Sequence, residues 1–286
     1  MVTKLAALIL LVVLLAALLG PLLAPYDPET IDLDQMFRPP SAQHPLGTDA
    51  LGRDVLSRLV HGARISLGLG LLAAVLSTGL GLSLGSLAGY VGGRLDGLLM
   101  RLVDLMLALP TLFLLIAVQS LVPPHFLTVA LMIALTRWMG LARLVRGQFL
   151  SLKEREFVQA ARAIGCPGRR IVVRHLLPNT SGQIGVSFSF ALADAILIES
   201  ALSFLGLGLP ASQASWGSML AEARASILAG AWWVALFPGL MILLVTAAVN
   251  LLADEFQTWP AVWNHQLRRG RRRPPRRGAW RSAPLP

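Results

Sequence analysis

The chain has 286 residues, of which 55% are hydrophobic and only 14% charged. Soluble domains carry about 25% charged residues, so a water-soluble globule is excluded, and the apolar residues gather into runs near the roughly 20 that span a bilayer. The net charge of +10 is not a nucleic-acid signal, because eight of the 25 basic residues lie between Arg268 and Arg281, beside the last apolar run, where cytosolic basic residues belong.

Residues 5–24 are apolar and uncharged, with Lys4 before them. A cleaved signal peptide is the competing reading. The run is long for such a segment and lacks a clean small-x-small site before Pro21, so it is read as a retained first span, residues 1–24. Residues 25–65 are polar, broken by Pro25, Pro28, Pro39 and Pro40, and predict an extracytoplasmic loop ending in a short amphipathic, interfacial helix over 52–63. Gly47, Asp49, Gly52, Arg53 and Asp54 form a dense cluster there. A metal site with His44 has unremarkable ligand spacing, and the cluster is read as an outside turn that meets another protein.

A five-helix membrane core is expected over 66–253. Its second span is 66–90, where Gly81, Gly85 and Gly89 recur every four residues and present one small face to another helix. The third is 100–122, with Arg101 and Asp104 spaced for a local ion pair and Pro110 placed to kink it. The fourth, 126–142, holds Arg137 near enough to its end to snorkel. The fifth is 184–205, and the sixth, 232–253, opens on the aromatic pair Trp232 and Trp233. With the N-terminus inside, the basic residues concentrate in the inside segments, which predicts six spans with both termini cytosolic. The last segment, 254–286, is read as a basic, disordered tail.

Between the fourth and fifth spans lies a polar insertion, SLKEREFVQAARAIGCPGRRIVVRHLLPN, over 151–179. Ser151 and Glu154 have capping-box spacing. Phe157, Ala160, Ala161 and Ile164 share one helical face, Gly165 suits the end of that helix, and a second helix over 169–177 is expected to stop before Pro178. A rigid helix–turn–helix results, with small residues at Ala160, Ala161 and Gly165 and a basic rim. A docking site for another protein competes here with a solvated loop and with a DNA-binding motif, the last being at odds with two ends tied to membrane spans.

VQAARAIG followed by RHLLPN resembles the EAA loop of binding-protein-dependent ABC permeases. HPLGTDALGRDVLSRLVHGARISL, RLVDLMLALP, ESALSFLGLGLP, SWGSML and FPGLMILL are similar, in order and spacing, to the C-type permease subunit of dipeptide, oligopeptide and nickel importers, over about residues 5–252. The resemblance implies an all-α integral membrane protein of the type I ABC importer permease fold, with six transmembrane helices in a bacterial or archaeal cytoplasmic membrane. It implies three kinds of partner: a second homologous permease that completes the pore, cytosolic ATP-binding subunits, and an extracytoplasmic substrate-binding protein. Gln159, Ala160, Ala161 and Gly165 then take the core positions of the ATPase-coupling loop, 151–180, and Leu177, Pro178 and Asn179 close it. The family's usual Glu is Gln159 here, and the tail after Leu252 departs from the family.

No phosphate loop of the form GxxxxGK[ST] is present, so ATP is expected to bind elsewhere. The histidines His44, His61, His125, His175 and His265 are scattered and Cys166 is alone, so neither a catalytic constellation nor a cofactor or metal is expected. Asp194 and Glu199 lie within the fifth span, where charge costs about 2.5–3.5 kcal/mol, so each is expected to face the translocation path or a partner helix. A proton-coupled secondary transporter using these acids is the alternative, but it leaves the coupling-type loop unexplained. The cargo stays open among dipeptides, oligopeptides, glutathione and nickel chelates.

Overall fold

A computed structural model describes residues 2–210 and 213–270. Apart from turns and a single bridge between Thr48 and Asp54, the described regular structure is helical. The helices are α1 (Val2–Leu23), α2 (Val55–Val91), α3 (Gly93–Leu107), α4 (Thr111–Gln119), α5 (Phe126–Leu152), α6 (Glu156–Ala163), α7 (Gly168–Ile171), α8 (Leu177–Phe204), α9 (Trp216–Leu228) and α10 (Trp233–Gly270). Five stretches are long and apolar enough to cross a membrane, and α3 with α4 makes a sixth if the bent pair is one broken span.

The apolar surplus read from composition is turned outward. On α1, Leu8, Leu11, Leu15 and Leu18 are exposed while Ala6, Val13 and Ala17 are buried. Lipid accepts the large side chains and the small ones let helices approach. A close backbone approach joins α2 and α5. A Cβ on Gly81 would lie 2.8 Å from the Trp138 carbonyl oxygen, and one on Gly85 would lie 2.5 Å from that of Ala142. The four-residue glycine repeat thus marks a backbone-on-backbone contact, as its spacing predicts.

Several boundaries differ from the sequence reading. No separate interfacial helix precedes the second span. Asp54 accepts a hydrogen bond from the Ser57 N–H and starts one 37-residue helix, so the piece over 52–63 is its first turns. The third span is not merely kinked: Ala108, Leu109 and Pro110 separate α3 from α4, and the two axes meet at 82°. Arg101 and Asp104 are not a local pair, since Asp104 takes Arg143 on α5 at 2.5 Å. Arg146 grips Asp96 with both Nε and Nη2, so α3 is tied to α5 by charge at two points.

The sequence also hid α9, which is too short and polar to register as a span. Ser215 caps it, accepting from the Ser218 N–H. Trp216, fully buried, donates its indole N–H to the Leu59 carbonyl at 3.0 Å and takes the Ser66 hydroxyl on its backbone N–H. These bonds fix α9 against α2. The helix α10 continues to Gly270, where a disordered tail is expected from residue 254. The remainder of that tail, 271–286, lies outside the described residues.

Candidate functional site

The insertion over 151–180 folds as a helical hairpin, by different means from those expected. Ser151 does not cap it. The preceding span α5 runs on to Leu152, and α6 starts after Arg155 without a side-chain cap. Its end is the one Gly165 suggests. Gly165 adopts φ +79°, its N–H bonds the Arg162 carbonyl, and the Cys166 N–H bonds that of Ala161. This double closure requires a left-handed residue, which glycine adopts without strain. Pro178 does not stop a helix. The backbone passes through a π turn at Val172–Leu176, where the Leu177 N–H reaches the Val172 carbonyl, and Pro178 sits in the first turn of α8. The wide turn accommodates a residue that has no N–H to donate. Asn179 adds a side-chain hydrogen bond to the His175 carbonyl at 2.6 Å.

The face that packs is also not the expected one. Val158 and Ala161 are buried with Ile171, Leu176, Val145 and Phe149. Of the four residues predicted to share an apolar face, only Ala161 is inside, while Ile164 is 83% exposed and Phe157 and Ala160 also face outward. Val158 and Ala161 therefore seat the loop on its own chain. Gln159, Ala160, Ile164 and Gly165 are left at the surface, Leu177 is half-buried and Pro178 exposed. The amide of Gln159 donates to the Lys153 carbonyl at 3.0 Å, a bond that a Glu carboxylate has no proton to make. Beside the hairpin, Pro167, Arg169, Arg170, Val173, Arg174 and Pro178 line a shallow basic depression.

The motif over 47–54 turns inward. Gly47 (φ +78°) and Gly52 (φ +73°) make its two left-handed bends. Asp49 receives Arg53 Nε at 2.8 Å and Arg58 Nη1 at 2.5 Å, and both arginines also reach Glu222 on α9. Asp49, Arg53 and Arg58 are buried. Two carboxylates thus neutralise two guanidiniums, and the outer loop is locked to α2 and α9. Asp54 combines its cap with a 2.9 Å contact to His44 Nδ1, whose Nε2 meets Gln35. Among the described residues, no group of three or more His, Cys, Asp or Glu is placed to hold a metal. Glu222 and Arg58 were not singled out in the sequence, since their partners lie far away in the chain.

The two acids of the fifth span part company. Glu199 faces another helix of its own chain, α9. It is fully buried in this chain, where its Oε1 accepts from Ser203 at 2.9 Å and from Ser215 at 2.8 Å. A Cβ on Gly217 would lie 2.9 Å from its Oε2, so glycine alone lets α9 rest on this carboxyl. Asp194 instead pairs with Arg137 Nη2 at 3.2 Å, both side chains partly exposed. The pair lies in a cleft of about 280 Å³ between α2, α5, α8 and the α3–α4 break. Arg137 therefore points to a partner in the span rather than snorkelling to an interface.

Residues 81–260 match the model of the binding-protein-dependent transport system inner membrane component, and residues 4–40 that of the N-terminal TM domain of oligopeptide transport permease C. The dipeptide transport system permease protein DppC of Bacillus subtilis is 43% identical over 249 residues, which cover 87% of this chain and 78% of that protein. The oligopeptide transport system permease protein OppC of Mycobacterium tuberculosis is 39% identical over 272 residues, covering 94% and 92%. A third relative, the oligopeptide transport system permease protein OppC of Bacillus subtilis, is 37% identical over 246 residues, covering 86% and 80%. With a broken-span helical bundle, a seated helical hairpin between α5 and α8, and sequence likeness over nearly the whole length, the chain belongs to the family of inner-membrane permease components of binding-protein-dependent transport systems.

Proposed function

We propose that this chain forms half of the pore of an ATP-driven peptide importer, paired with a second homologous permease and served by an extracytoplasmic binding protein. Residues 151–180 are the element that engages a cytosolic ATPase. The peptide cargo rests on the names of the relatives, which are di- and oligopeptide permeases; nothing in the described residues favours a nickel chelate. The observation that carries the coupling role is the division of labour on α6. Val158 and Ala161 anchor it, while Ile164, an apolar residue on a polar hairpin, stands 83% exposed beside Gly165. An exposed large apolar residue on a rigid, basic hairpin suits a protein groove.

The same placement favours coupling over the proton-driven alternative. Glu199 is sequestered between α8 and α9, and Asp194 already holds an arginine. In this reading both termini are cytosolic and the 25–54 segment is external, which the distribution of basic residues supports.

The test is co-purification of the ATPase with Ile164→Asp and Gly165→Val, together with peptide uptake in proteoliposomes. Ile164→Asp leaves the permease folded, because the side chain touches little of its own chain. It is expected to release the ATPase and abolish uptake. Retention of the ATPase and normal uptake by both variants would remove this loop as the coupling element.

A further inference from the structure

We infer that the Arg137–Asp194 cleft is a charge-selective site for the two ends of a short peptide, Arg137 taking the carboxylate and Asp194 the ammonium. The inference rests on the peptide-import reading. The cleft lies at the middle of the bundle: Ser77 and Thr78 are central in α2, Thr136, Arg137 and Gly140 in α5, and Ser187, Phe190 and Asp194 in α8. Its remaining wall is the α3–α4 break, contributed by Leu107 and Thr111. Broken backbone at membrane depth persists where it borders a cavity, and charged side chains there mark a path for polar cargo.

The pair is built to be exchanged. One contact of 3.2 Å joins Arg137 Nη2 to Asp194 Oδ2, and the side chains keep 34% and 45% of their surface open. The bidentate Arg146–Asp96 grip, by contrast, leaves its carboxylate only 13% open. Ser77, Thr78, Thr136 and Ser187 line the cleft with the pair, the Ser77 and Thr136 hydroxyls bonded to carbonyls of their own helices, and Phe190 adds an apolar face. A volume of about 280 Å³ is at the small end of ligand pockets and suits a very short peptide.

Charge balance gives the selectivity. Arg137 and Asp194 sum to zero, and a peptide with both ends free is a zwitterion that also sums to zero. The loaded cleft therefore stays neutral at membrane depth, with each terminus facing an opposite charge. An N-acetylated peptide brings a net negative charge and a C-amidated one a net positive charge, and either leaves one partner uncompensated in the cleft.

The experiment compares uptake of dialanine, acetyl-dialanine and dialaninamide by the complete transporter in proteoliposomes, with binding protein and ATP. The variants are Asp194→Asn and Arg137→Gln, and ATPase activity stimulated by the binding protein reports assembly. The same binding protein serves every variant, so its own preference cancels when uptake ratios are compared with wild type. Asp194→Asn is expected to lower dialanine uptake at least tenfold and raise the acetyl-dialanine to dialanine ratio at least tenfold. Arg137→Gln should raise the dialaninamide to dialanine ratio similarly, and the opposite pairings should not rise. Ratios within threefold of wild type overturn the inference, as does uptake of the blocked peptides by no variant, a complete loss of uptake included. A wild-type transporter that imports none of the three defeats the peptide reading, and this site with it.

Discussion

Replacing Gly85 by alanine tests the backbone contact between α2 and α5. The added Cβ would lie 2.5 Å from the Ala142 carbonyl oxygen and 2.9 Å from the Ala142 Cα. Comfortable carbon contacts fall at roughly 3.5–4.0 Å, and both opposing atoms are backbone, so no side-chain rotation relieves the clash. The α2 and α5 helices must part by about 1 Å, the range in which packed atoms forfeit a quarter to a half of their attraction. Over-packing of this kind costs about 1–3 kcal/mol, against a helix-propensity gain of up to about 1 kcal/mol. The expected net loss for Gly85→Ala is therefore about 1–2 kcal/mol. Gly79, six residues earlier on the same helix, has nothing within 4 Å of a built Cβ, so Gly79→Ala should stabilise by up to about 1 kcal/mol. The assay is unfolding of the purified subunit in mixed micelles by increasing dodecyl sulfate. Equal stability of the two variants, or a Gly85→Ala protein more stable than wild type, refutes the reasoning.

Asp49→Asn should destabilise the subunit by about 3–5 kcal/mol, because Arg53 and Arg58 stay buried with Glu222 as their only remaining carboxylate; the same detergent titration reads it. Ala161→Trp is expected to act inside the permease first, since Ala161 packs against its own chain. Limited proteolysis should then cut among Arg155, Arg162 and Arg169 faster than in wild type, with the ATPase lost as a consequence. A topology reporter inserted at Gln43 should report the outer side, and one fused after Gly270 the cytosol.

The spans were legible because their signal is local: twenty apolar residues announce a crossing whatever they touch. The four-residue repeat of Gly81, Gly85 and Gly89 and the left-handed end at Gly165 were legible for the same reason, each being a steric demand of neighbouring residues. What the sequence concealed depends on distant partners. Asp194 reads as an isolated charge until α5 brings Arg137 to it, and Arg53 and Arg58 as surface charges until α9 brings Glu222 to them. The π turn at Val172–Leu176 defeated a sound local rule, since proline ends an α-helix only where its missing N–H is needed. On α6, four apolar residues at helical spacing pointed to one face, but Val158 beside them took the inner position and left Ile164 outside.

The continuous helix α8 carries the hairpin's closing residues, Leu177 and Pro178, at one end and the Glu199 contact with Ser215 at the other. Its 28 residues make a rod of about 42 Å. A tilt of about 5° at the hairpin end would displace Glu199, about 33 Å along the rod, by about 3 Å, the length of a hydrogen bond. Motion imposed at the hairpin would thus reach the α9 contact through the rod itself, with no chain of intermediate side chains needed to relay it.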